Sequence, residues 1–236
     1  MSQWLREFGG LLRRPVAWLA TLLFYIAFTP LTYLLYIGTT GLSYWTYTLL
    51  AEVLRIALFG AYAFPLIRAL LRDRYVLATP RLGDWLGASA LQVIATYLIG
   101  VALAGAALEY APAAVDALPP AWQTTFFLNM TAPLFLGVFV WQAAMVCGWR
   151  QPDLPQSWNL AWSQRGGYVL LYALLVAGEI ALTMWLDRLS SQFEPWELHA
   201  IAMIPYCLLT MLLTLFVTAL LLENKDDDQQ LGRTFG

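Results

Sequence analysis

Three charged residues sit where charge is expensive. Glu52 and Arg55 interrupt one long apolar stretch, 43–71, and Glu179 interrupts another, 167–186. Ionisable groups inside a hydrocarbon layer are functional candidates by default. Glu52 and Arg55 are three residues apart and so share one face of a helix. At 1.5 Å per residue, Glu52 lies roughly 15 Å and Arg55 roughly 20 Å from the outer start of their stretch. Glu179 lies about 18 Å from the inner start of its own. In a core about 30 Å thick, the two carboxylates therefore share nearly one depth. If their helices pack together, Arg55 pairs with either glutamate. Two carboxylates against one guanidinium leave an excess acid, which low dielectric pushes toward its neutral form. That group could carry a proton or donate a hydrogen bond, which is transport chemistry. A static charge network holding the helices together is the plainer expectation, and packing against a partner subunit is a third.

The rest of the chemical inventory is thin. His199 is the single histidine, so a haem held by two histidines of this chain is impossible. No H-E-x-x-H and no paired Cys/His spacing points to zinc. There is no G-x-S-x-G elbow, phosphate-binding loop or dinucleotide fingerprint. No cofactor is implied, and an enzyme is not expected, although a carboxylate-based intramembrane activity would need no other inventory. Cys147 and Cys207 each stand alone in an apolar run and read as small buried thiols rather than a bridge. Gln92 and Gln142 fall within apolar stretches, where a hydrogen bond between helices contributes about 1 kcal/mol.

These residues need helices to hold them, and the composition names the solvent. Of 236 residues, 60% are apolar and only 12% charged, about half the charged fraction of an ordinary soluble chain. Six apolar stretches, about 15–36, 43–71, 85–108, 122–147, 167–186 and 199–222, are each long enough to cross a bilayer at about 20 residues per span. The expected fold is an all-α, polytopic bundle of six transmembrane helices in a single membrane domain, 1–222. A polar tail, 223–236, is expected to end the chain as a solvated cytoplasmic segment. The first stretch follows Arg13 and Arg14 but is longer than a signal-peptide core, and no small-residue cleavage site follows it, so it is retained as a span. Pro30, Pro133 and Pro205 lie inside spans one, four and six, where neighbouring helices satisfy the freed carbonyls; kinks are expected there.

Charge sorting fixes the expected orientation. Arg6, Arg13, Arg14, Arg68, Arg72, Arg74, Arg81, Arg150, Arg165, Lys225 and Arg233, eleven of the 13 basic residues, fall at one side. The other connections carry only Arg188, with Glu109, Asp116, Asp187, Glu194 and Glu197. The positive-inside rule puts both termini in the cytoplasm. Trp45, Trp85, Trp122, Trp149, Trp185 and Trp196 fall near the span ends, as an aromatic belt requires. Because topology explains the arginines, no nucleic-acid partner is implied.

Two short segments read as amphipathic helices on the inner surface. In the first, Trp4, Leu5, Phe8, Leu11 and Leu12 have helical spacing before span one. In the second, Leu154, Trp158, Ala161 and Trp162 share one face, with Pro155 at the start and Gly166-Gly167 as a stop. Ser157 and Gln164 lie off that face. This face is expected to anchor on the membrane surface, or else to meet a partner or lipid headgroups. Span three carries small residues along its outer half: Gly100, Ala102, Ala104, Gly105 and Ala106.

The run Leu154-Pro155-Gln156-Ser157-Trp158-Asn159-Leu160-Ala161-Trp162, leading through Arg165-Gly166-Gly167 into span five, resembles the helix before the last hairpin of YciC-like and glycerophosphodiesterase-membrane-domain-like proteins. The segment from Phe8 to Trp18, with Arg-Arg-Pro before span one, is similar in style. The resemblance implies a six-helix bacterial inner-membrane protein and transfers no site residue. Together these readings predict a non-enzymatic, multi-pass inner-membrane protein serving as an accessory or scaffolding subunit of a larger assembly. Its partners would be membrane lipids and other membrane subunits. The competing expectation is a small transporter or lipid-handling protein using the Glu52/Arg55/Glu179 level.

Overall fold

The computed structural model describes residues 3–38, 44–116, 131–162, 167–188 and 194–235. Among them there is no strand. The helices are α1 (Gln3–Leu12), α2 (Pro15–Gly38), α3 (Tyr44–Leu71), α4 (Leu82–Tyr110), α5 (Pro112–Asp116), α6 (Leu136–Val146), α7 (Leu154–Trp162), α8 (Gly167–Arg188) and α9 (Pro195–Phe235). A 3₁₀ turn, Ala132–Phe135, leads into α6, with Pro133 near its start. Among the described residues, three segments are long and apolar enough to cross a membrane: Pro15–Leu34, Leu82–Tyr110 and Pro195–Glu223. Two shorter apolar stretches, Gly60–Leu71 and Pro133–Val146, accompany them. The chain is therefore all-helical and built for membrane association.

Side-chain and backbone contacts fix the relative directions of several helices. Arg14 meets the Leu70 carbonyl while Thr21 meets Tyr62, so α2 and α3 run antiparallel. Arg81 pairs with Met145 while Gln92 meets Gln142, so α4 and α6 do the same. Thr32 meets His199 while Phe28 stacks on Tyr206, which sets α2 against α9. One end of the bundle thus gathers the start of α2, the end of α3, the start of α4 and the end of α6.

That end is closed by backbone capping. Arg68 donates through Nη1 to the carbonyls of Ala78 (2.9 Å) and Val146 (2.9 Å). It therefore ties the 72–81 connection to the last turn of α6. The same connection pairs backbone to backbone with α6, Ala78 N to Cys147 O at 3.1 Å and Arg81 N to Met145 O at 3.0 Å. Helix C-termini leave carbonyls without partners, and here a neighbouring connection satisfies them. Gly148 adopts φ +74°, and a Cβ there would sit 2.5 Å from the Thr79 oxygen. Only glycine fits that turn.

The core lies along the middle of α9. From Thr214 to Leu222 every side chain is buried, because α1, α2, α6 and α8 surround it along with parts of α3 and α7. A helix that is apolar on all sides is covered by protein or by lipid, and here neighbouring helices do the covering. Thr210, Thr214 and Thr218 lie in or beside this stretch without disrupting it. Each hydroxyl donates to the carbonyl four residues back, at 2.7–2.8 Å. Burying an unbonded hydroxyl would cost free energy, and this ladder avoids that.

The chain end differs from the sequence expectation. Helix α9 continues through the polar segment to Phe235 instead of stopping near Leu222. Residues 223–231 contain no glycine or proline, the two residues that disfavour a helix interior most, and the run Asp226, Asp227 and Asp228 carries only a modest penalty. Nothing local ends the helix once it has begun.

Candidate functional site

The three charged positions lie on described helices: 52 and 55 in α3, and 179 in α8. The side chains of Glu52, Arg55 and Glu179 fall outside the described residues. Packing of the helices that carry them is described. α3 packs on α2, α6 and α9, whereas α8 packs on α9, α7 and the 3₁₀ turn. Tyr172 of α8 stacks on Phe139 of α6, with ring centroids 5.9 Å apart. Position 179 comes two helical turns after Tyr172, and the 3₁₀ turn begins two turns before Phe139. The 3₁₀ turn packs on the same helix, α8, that carries position 179.

The two glutamines, expected to hydrogen-bond between helices, come together. Gln142 Nε2 donates to Gln92 Oε1 at 3.0 Å and to Ser89 Oγ at 3.3 Å. Gln142 and Ser89 are buried. This polar network stitches α4 to α6 near the closed end. Ser89 was not singled out from the sequence; its place one turn before Gln92 was the available signal.

Helix α7 sits differently from a helix lying flat on a surface. A Cβ on Gly137 would come 2.7 Å from the Trp158 Cα and 3.1 Å from its nitrogen. Gly137 lies nine residues before the end of α6, about 14 Å along the axis. The connection therefore folds α7 back alongside α6. Ser157 and Ala161, both 0% exposed, make the buried side of α7. Leu154, Trp158 and Trp162 are 37%, 39% and 37% exposed and face outward. The four residues expected to share one anchoring face are thus divided. Ala161 is buried, and Ser157 joins it because small side chains let two helix backbones approach.

A second polar seam, between α2, α3 and α9, was not visible in the sequence. Thr21 Oγ1 donates to the Ala17 carbonyl at 2.7 Å and lies 2.9 Å from the Tyr62 hydroxyl. Farther along, Thr32 Oγ1 lies 2.9 Å from His199 Nε2, and Tyr25 donates to the Ala200 carbonyl at 3.1 Å. Phe24, Phe28, Tyr62 and Tyr206 stack between these points with centroids 4.6–5.4 Å apart. The histidine is held by a threonine and against the Tyr33 ring, an arrangement that joins two helices. Among the described residues, no group of three or more His, Cys, Asp or Glu residues could hold a metal ion. Cys147 and Cys207 are free and buried.

No family model, curated protein or solved structure matches this chain.

Proposed function

We propose that this chain is a six-span protein of the bacterial inner membrane, with both termini cytoplasmic. It acts without catalysis as an accessory or scaffolding subunit of a larger membrane assembly. The observation that carries this reading is the outer half of α4. Val101, Ala102, Leu103, Gly105, Ala106 and Leu108 are all exposed, so this helix projects apolar surface in several directions. A Cβ on Gly105 would meet nothing within 4 Å. Small residues at such a surface let another transmembrane helix approach closely, and that is what drives helix association in lipid. The six-span topology is supported by the alternating helix directions and by the arginine-bearing connections gathered at one end.

Purification of the tagged chain from its native membrane in mild detergent tests the reading. Stoichiometric co-purification of a larger membrane protein is expected, with cross-links from a photoreactive residue at position 105. A homogeneous preparation of this chain alone, with position 105 cross-linking only to lipid, would defeat it.

A small transporter or lipid-handling protein is the second reading. It is favoured by the packing of α8, the helix that carries position 179, on the 3₁₀ turn, because interrupted helices form sites near the bilayer midplane. Under that reading Glu179→Gln abolishes uptake while the protein still assembles. Unchanged uptake would remove Glu179 from any site.

A further inference from the structure

Helix α1 has two faces with different fates. Trp4 and Leu11 are buried against α9, with Trp4 and Phe8 meeting Phe216 at centroid distances of 5.4 and 6.5 Å. Glu7 lies toward the same packed side and pairs with Arg74 at 2.6 Å. The opposite face, at 100° per residue, carries Arg6, Gly9 and Gly10, and Arg13 continues it in the turn just past the helix end. Arg6, Gly10 and Arg13 are exposed, and Gly9 is half-buried.

Arg6 and Arg13 stand apart from their neighbours. Arg14, Arg68, Arg74 and Arg81 are engaged by carbonyls or carboxylates of the bundle. Among the described residues, Arg6 and Arg13 form no ion pair and no side-chain hydrogen bond. The pair is separated by two helical turns, about 10 Å along the axis, and the only side chains missing between them on that face are those of two glycines. Glycine weakens a helix interior relative to alanine. A Cβ on Gly9 or on Gly10 would meet nothing within 4 Å. Internal packing therefore does not call for these glycines, and their effect is to bare the backbone between two guanidinium groups.

The adjacent surface fixes the level. Trp18 is 49% exposed and donates its indole N–H to the Leu12 carbonyl at 2.9 Å. The exposed side chains of Leu19, Leu22 and Leu23 follow it along α2. A half-exposed tryptophan above an apolar wall marks the boundary between hydrocarbon and headgroups, and Arg13 lies beside it.

We propose that Arg6 and Arg13, across the bare backbone of Gly9 and Gly10, bind the phosphodiester of an anionic phospholipid. Guanidinium groups match phosphate oxygens through paired hydrogen bonds. The missing side chains leave room for the headgroup against the helix, and the acyl chains run down the Leu19–Leu23 wall. The inference holds for a scaffold or a transporter alike and does not depend on that choice.

The test uses the full chain in nanodiscs of phosphatidylcholine doped with phosphatidylglycerol. Lipid carried through extraction is counted by native mass spectrometry. Wild type is expected to retain phosphatidylglycerol selectively. The double variant R6Q/R13Q should lower that retention by roughly tenfold per arginine, about 100-fold together, because each loses a charge-assisted hydrogen bond to phosphate. R72Q/R150Q, which removes two other exposed cations of the same end, should lower it by at most roughly fivefold, the loss of one unpaired surface charge, since Arg72 already pairs with Asp73. Gly9→Ala with Gly10→Ala should lower retention while the elution profile stays native, since neither Cβ clashes. R6K/R13K keeps the charge and loses the planar fork, so it should fall between wild type and R6Q/R13Q, and it replaces the glutamine pair should that variant misfold. Equal losses in R6Q/R13Q and R72Q/R150Q would overturn the site in favour of general surface charge. Undiminished retention in R6Q/R13Q would overturn it outright. Displacement of the lipid by millimolar inorganic phosphate would reassign it to a soluble anion.

Discussion

The two ends of α4 belong to different physical regimes. At its start, Trp85 is buried against Phe64 at a centroid distance of 4.7 Å, Ser89 and Gln92 bond to α6, and Arg81 joins the end of that helix. Beyond Gly100 nearly every side chain on the same helix is exposed. One apolar sequence thus serves as core at one end and as outer surface at the other. Hydropathy does not distinguish these roles, because lipid and protein interior are about equally welcoming to leucine. What separates them is specific pairing: the closed end has arginine clamps, backbone bridges and glutamine bonds, whereas the bare end has small residues and methyl groups.

Mutations should follow that division. The largest effect is expected at Arg68. Arg68→Ala leaves the Ala78 and Val146 carbonyls without their charged donor. Hydrogen bonds to charged groups contribute about 1.5–3 kcal/mol each, so a loss of about 3 kcal/mol is expected. The thermal midpoint in detergent measures it, and a midpoint unmoved by this substitution would mean that the closed end is not held by capping. Gly137→Ala comes next. Its Cβ would press on the Trp158 backbone, and overpacking of this kind costs about 1–3 kcal/mol. Faster proteolysis between residues 148 and 166 should report the displaced α7. The smallest effect is expected at the bare end, where Leu103→Ala should change stability by no more than about 0.5 kcal/mol while reducing recovery of any co-purifying subunit. A large destabilisation there would show that α4 is covered within the chain itself.

Much of the helical layout was legible. The apolar runs and their arginine-bearing boundaries anticipate α2, α3, α4 and α8 to within a few residues, because hydrocarbon demands helices of a set length. Gln92 and Gln142 were legible as partners because polar groups in apolar runs need each other. The division of the α7 face was not. Leu154, Trp158, Ala161 and Trp162 do lie within one arc, yet burial of Ser157 and Ala161 depends on Gly137, some twenty residues away, allowing close approach. The Thr21–Tyr62 and Thr32–His199 bonds were hidden for a similar reason: a threonine in an apolar run bonds its own helix and leaves no mark of a second partner. The level shared by Glu52 and Glu179 was inferred from depth alone, and depth does not choose neighbours.

By itself, the sequence determined the solvent and the secondary structure. An apolar run of this length permits little but a helix, since every backbone N–H and C=O must be satisfied inside it. It also sorted its arginines to one set of connections. Which helix touches which, which end is sealed, and which face of α7 is buried were decided only in three dimensions. Those outcomes depend on close approach at single glycines and on arginines reaching carbonyls far away in the chain, and neither has a periodicity to read.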